Sequence, residues 1–110
     1  MTTIIILFAV AALAGLSLLV PVLQGKSPSR PFVYIHGGVA AVALVMLVLQ
    51  FLQAGSTVPQ LSVIFFVVAA LGGFVLFALD LQKKAIPKVL ALIHAGVAIA
   101  AFLILLFTFV

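Results

Sequence analysis

The sequence predicts an all-α integral membrane protein: a four-helix bundle made of two tandem helix-pair repeats related by a pseudo-two-fold axis along the membrane normal. Composition, run length and a self-match at an offset of 58 positions carry that prediction. Of 110 residues, 68% are apolar and only 5% charged, and the mean hydropathy is +1.63, far outside the range of a water-soluble domain. The six formal charges all lie between the apolar runs or at their ends.

A helix needs roughly 20 apolar residues to cross about 30 Å of hydrocarbon, and the chain holds four such runs in a single domain spanning 1–110. The expected helices are about 4–23, 32–52, 61–81 and 87–110, the last apolar from Val89 onward. Backbone in lipid needs internal hydrogen-bond partners, which excludes exposed loops at these positions. Continuous runs without dyad alternation exclude a β-barrel. The first run has no basic residue before it and no polar exit to a soluble domain, so it is read as a retained helix rather than a secretory signal. Pro21 falls in the last turn of helix 1, while Pro31 and Pro87 suit helix starts.

The five cations fall in two clusters: Lys26 and Arg30 in the first loop, and Lys83, Lys84 and Lys88 in or beside the third. The second loop, 53–60, has none. The positive-inside rule therefore places loops 1 and 3 in the cytoplasm and both termini on the opposite side, with a bacterial inner membrane the expected location. Anionic lipid headgroups suffice as partners for these cations, and a nucleic-acid role is not expected. The sole acid, Asp80, is expected to pair with Lys83 or Lys84 at i+3 or i+4. Tyr34 reads as an interfacial aromatic. With no cysteine, neither a disulfide framework nor a thiolate metal site is possible.

Shifting the sequence by 58 positions aligns repeat 1, about 1–52, with repeat 2, about 59–110, without a gap. Ala11-Ala12-Leu13-Ala14-Gly15 falls on Ala69-Ala70-Leu71-Gly72-Gly73, and Ile35-His36-Gly37-Gly38-Val39-Ala40 on Ile93-His94-Ala95-Gly96-Val97-Ala98. Arg30 falls on Lys88. Apolar helices resemble one another by composition alone, but this shift also superposes Gln, Lys and the only two histidines. The pairs Ala11/Gly15 and Ala69/Gly73 have the small-xxx-small spacing of helix contact faces.

Strongly polar groups at membrane depth are costly and point to function. His36 and His94 are such residues, five to seven positions into their helices, or about 8–10 Å at about 1.5 Å per residue. A pseudo-two-fold axis would bring them to opposite sides of a shared space. Haem iron accepts two trans imidazoles while its flat ring fills the gap between helices. Zinc wants three or four protein ligands, and no Cys, Asp or Glu lies at that depth. Ala40 and Ala43, and Ala98 and Ala101, share the histidine faces and would leave a slot. Gly38 and Gly96 would let a helix or a ring edge approach the backbone. Arg30 and Lys88, six residues ahead of the histidines, are placed to meet haem propionates. A single histidine near an interface more often hydrogen-bonds a carbonyl of the neighbouring helix. Small faces also arise from close packing, and basic loops from topology.

In pairing intramembrane histidines on different helices of a small bundle, the chain resembles the transmembrane b-type cytochromes, on the two Ile-His-(Gly/Ala)-Gly-Val-Ala segments. The resemblance implies one haem b, bis-His ligated by His36 and His94 between helices 2 and 4 near the cytoplasmic leaflet. Cytochromes of this kind usually carry two haems, one per leaflet, whereas this chain has histidines for one. Electron transfer with a quinol or a redox protein partner, or haem handling, would follow. Two other functions remain open: a structural or accessory subunit of a larger membrane complex, and a small-molecule transporter, in either case with homo-oligomerisation possible. The transporter reading lacks a membrane-embedded carboxylate. No nucleophile with an adjacent base, carboxylate pair or phosphate loop is visible, so no catalytic residue is expected.

Overall fold

The computed structural model describes residues 1–54 and 57–110; Gly55 and Ser56, in the uncharged second loop, lie outside the described residues. The described residues form four helices and no strand: α1 (Thr2–Leu23), α2 (Arg30–Ala54), α3 (Gln60–Leu81) and α4 (Lys88–Phe109). All four are long and apolar enough to cross a membrane. At about 1.5 Å per residue, 22 residues make a rod of roughly 33 Å, and the molecule measures 41 × 22 × 22 Å, close to the full bilayer thickness of about 40–45 Å. The outward faces carry large apolar side chains, such as Leu13, Phe74, Val89 and Phe107. In water such a surface would aggregate, whereas in lipid it is solvated.

Round the bundle the helices follow chain order, each packed on the next and α4 returning to α1. The closest associations are α1 with α2 and α3 with α4, so the fold is two antiparallel hairpins laid side by side. They meet most tightly at the end that holds the termini and the second loop. There Ile4, Phe8, Ala43, Leu47, Val58, Val63, Phe66, Ala101 and Leu105 form one buried cluster. Phe8 and Phe66 stack face to face, ring centres 3.9 Å apart and planes within 8°. The buried hydroxyl of Ser62 donates to the Ala101 carbonyl at 2.8 Å, tying α3 to α4. Lipid tails are as apolar as these side chains, so close packing and such hydrogen bonds, rather than hydrophobic exclusion, hold the core.

Ala43 and Ala101 are part of that core, fully buried. They do not extend a slot beside the histidines as the sequence suggests, because about two helical turns past His36 and His94 the hairpins have already closed.

At the basic end the two hairpins turn in the same way. Gly25 closes α1 at φ +77°, with Gly25 N–H donating to Val22 O at 3.0 Å and Lys26 N–H to Pro21 O at 2.8 Å. This is the Schellman arrangement, which needs a left-handed residue after the cap. After α3 the same pair of bonds recurs, Lys83 N–H to Asp80 O and Lys84 N–H to Leu79 O, both 3.0 Å. Here the left-handed position is Lys83, at φ 56°. Because α3 ends at Leu81 and the chain reverses at Lys83, the i+3 and i+4 lysines leave the helical path. Asp80 pairs instead across the hairpins, its Oδ2 3.6 Å from Arg30 Nε, which corrects the expected Asp80–Lys83 or Asp80–Lys84 pair. Pro31 is the second residue of α2, and Pro87 caps α4, both positions where a missing N–H is harmless.

Candidate cofactor-binding site

Above the stacked phenylalanines the hairpins stand apart, leaving a cleft of about 760 Å³ lined by residues of all four helices. Phe8 and Phe66 line its closed end, and His36 of α2 and His94 of α4 contribute the only imidazoles. The ring centres of the two histidines are 6.1 Å apart, with their planes at 87°.

Each imidazole is held by its own hairpin. His36 donates from Nδ1 to the Ala11 carbonyl of α1 at 2.7 Å, and His94 donates from Nδ1 to the Ala69 carbonyl of α3 at 2.7 Å. A carbonyl can only accept, so Nδ1 carries the proton and the neutral ring keeps its lone pair on Nε2. The histidines thus make the carbonyl bond expected of an interfacial histidine, and that bond fixes the tautomer a metal ligand needs.

The four-residue spacing of Ala11/Gly15 and Ala69/Gly73 has a local cause. In an α-helix the carbonyl of residue i points at the N–H of residue i+4. A donor reaching that carbonyl from a neighbouring helix must therefore pass beside the side chain of i+4. At Gly15 a Cβ would lie 2.9 Å from His36 Cε1 and 3.2 Å from its Nδ1. At Gly73 it would lie 3.1 Å from His94 Cε1. Glycine at both positions is what lets each ring lie against the neighbouring backbone.

Of the other residues that the sequence singles out, Ala40 and Ala98 line the cleft with the histidines. Gly38 also borders it, but a Cβ on Gly38 or Gly96 meets nothing within 4 Å. Neither glycine is a point of close helix approach; that role falls to Gly15 and Gly73. Tyr34, half exposed, sets its ring edge-on to Phe77 with centres 6.3 Å apart. Arg30 and Lys88 lie beyond the cleft, lining a second cavity of about 690 Å³ between the first and third loops. Among the described residues no group of three or more His, Cys, Asp or Glu is placed to hold a metal ion.

Sequence reasoning missed the histidine-cradling role of Gly15 and Gly73 and the Phe8/Phe66 closure. One signal was present: Gly15 and His36 recur together at the 58-residue shift as Gly73 and His94.

No protein-family model, curated protein or solved structure matches the chain.

Proposed function

We propose that this chain is a small membrane cytochrome of the b type, holding one haem between its hairpins with His36 and His94 as axial ligands. The observation that carries the proposal is the histidine pair itself. Two imidazoles, each with Nδ1 committed to a backbone carbonyl, stand 6.1 Å apart in a largely apolar cleft. Metal–nitrogen bonds of about 2 Å on opposite sides of one ion would set two ring centres roughly 6 Å apart, so the spacing fits a shared metal centre. A bare ion would have only two protein ligands, whereas a tetrapyrrole brings its own four nitrogens and an apolar body suited to this lining. The bound group would supply a one-electron iron couple.

The chain's own residues would orient and shield it. Ala11 and Ala69 carbonyls would hold the imidazoles in register, Ala40 and Ala98 would leave room for the ring, and Phe8 and Phe66 would close the cleft. Arg30 and Lys88 would face the acidic edge from the loop side. One haem near one face suits exchange with a quinol or a redox partner at that face, or haem handling, better than conduction across the whole membrane.

The same reading includes a tandem duplication and an approximate two-fold relation between the hairpins. Its support is that pairs 58 residues apart do like things: Phe8 and Phe66 stack, His36 and His94 find carbonyls at the same spacing, and Gly25 and Lys83 both take left-handed turns. It also keeps the basic end in the cytoplasm.

Visible spectra of protein purified from membranes, oxidised and then reduced, test the proposal. A low-spin haem spectrum lost in both His36→Ala and His94→Ala is expected. A protein that takes up no haem on reconstitution, or an unchanged spectrum in either variant, refutes it.

A second reading has an observation of its own. The two 2.7 Å carbonyl bonds also suit histidines that merely pin each hairpin together, in an accessory subunit of a larger complex. Under that reading the protein co-purifies in fixed ratio with a partner, and His36→Gln retains its association.

A further inference from the structure

All five cations of the chain, Lys26, Arg30, Lys83, Lys84 and Lys88, line the single vestibule of about 690 Å³ between loops 1 and 3. Topology asks only that these loops be basic. It does not ask that charges from separate hairpins converge on one concavity. The single carboxylate there, Asp80, is already engaged by Arg30, so four positive charges are left without an acidic partner. Concave surfaces of one sign beside a low-dielectric wall focus the field and concentrate counter-ions.

The vestibule also adjoins the cleft. Val22, Pro28, Asp80 and Ile86 are walls of both. An anionic head in the vestibule and an apolar body in the cleft can therefore belong to one molecule.

We propose that the vestibule is a carboxylate-recognition site, which takes the acidic groups of a flat amphiphile whose ring system fills the cleft, so that the chain binds tetrapyrrole dicarboxylates whether or not they carry iron. This rests on the reading that the cleft holds a tetrapyrrole, and it assigns affinity to the cations and metal selection to the imidazoles. The four lysines form charge-assisted hydrogen bonds to carboxylate oxygens, which are the stronger class of such bonds. A lipid or free phosphate offers the same anionic chemistry, and competition separates these sources.

The test uses the full chain in phosphatidylcholine nanodiscs with iron-free protoporphyrin as a fluorescent probe, against empty nanodiscs. The free diacid is expected to bind about tenfold or more tightly than its dimethyl ester, the size of one lost charged hydrogen bond. Lys26→Gln/Lys84→Gln/Lys88→Gln, which keeps Arg30 and Lys83 so that each loop retains a cation, is expected to weaken the diacid by a similar factor. Equal affinity of diacid and ester overturns the proposal, as does displacement of the diacid by phosphatidylglycerol or inorganic phosphate at comparable concentration. The ester comparison needs no substitution, so a misfolded variant leaves the test intact. Cation-dependent diacid binding without a bis-imidazole haem spectrum would remove the cytochrome reading and keep this one. Haem ligation with no preference for the diacid would do the reverse.

Discussion

Gly15→Ala adds a single methyl group, yet the geometry around His36 makes it a severe change. The new Cβ would stand 2.9 Å from His36 Cε1, where ordinary carbon contacts begin at about 3.5 Å. The ring must retreat by roughly half an ångström, and its 2.7 Å bond to the Ala11 carbonyl lengthens toward the limit of a useful hydrogen bond, about 3.2 Å. Crowding of this kind costs about 1–3 kcal/mol, and the weakened bond about 0.6 kcal/mol more in a membrane bundle. The better helix propensity of alanine returns at most about 1 kcal/mol. Net destabilisation is thus about 0.6–2.6 kcal/mol, with a smaller loss for Gly73→Ala, where the contact is 3.1 Å.

Gly38→Ala is the matched control, because a Cβ there meets nothing within 4 Å. It is expected to be neutral or mildly stabilising. Denaturant unfolding of the three variants in detergent measures these differences. Metal sites tolerate only about 0.5 Å of ligand displacement, so Gly15→Ala is also expected to erode any bis-imidazole haem spectrum while Gly38→Ala preserves it. Wild-type stability and spectrum in Gly15→Ala, or equal damage from Gly38→Ala, would refute the argument that this glycine exists to seat the imidazole.

The turns at the basic end give a second test. Lys83 holds a left-handed conformation at φ 56° that costs an L-residue about 1–2 kcal/mol, so Lys83→Gly is expected to raise stability by up to about 1 kcal/mol, whereas Gly25→Ala lowers it by about 1 kcal/mol; equilibrium unfolding checks both. Ser62→Ala removes the buried bond to the Ala101 carbonyl and is expected to cost about 0.6–1.7 kcal/mol, read as a lower midpoint without loss of helical circular dichroism. Arg30→Gln leaves the Oδ2 of Asp80, buried and without a hydrogen-bond partner, facing no guanidinium. Because Arg30 is substantially exposed, the expected loss is about 1 kcal/mol, well short of a fully buried pair, and Asp80→Asn in the same background should restore part of it.

The four helices were legible in the residue order alone. Lipid leaves the backbone no other way to satisfy its polar groups over runs of this length, and the expected helix bounds agree with the observed ones to within about two residues at each end. Residue order also singled out His36 and His94, since a polar ring at that depth is conspicuous against an apolar background, and it placed the five cations at one end. What those residues meet depends on how the helices pack. Whether Ala43 and Ala101 border a slot or a core depends on how far along the axis the hairpins stay apart, a property of both hairpins and not of one helix face. The partner of Asp80 depends on where α3 stops and the chain reverses. The role of Gly15 and Gly73 appears only when an imidazole from the neighbouring helix reaches for the carbonyl four residues earlier. Periodicity reports which residues share a face, whereas the distance between faces is set by side chains that lie far apart in the chain.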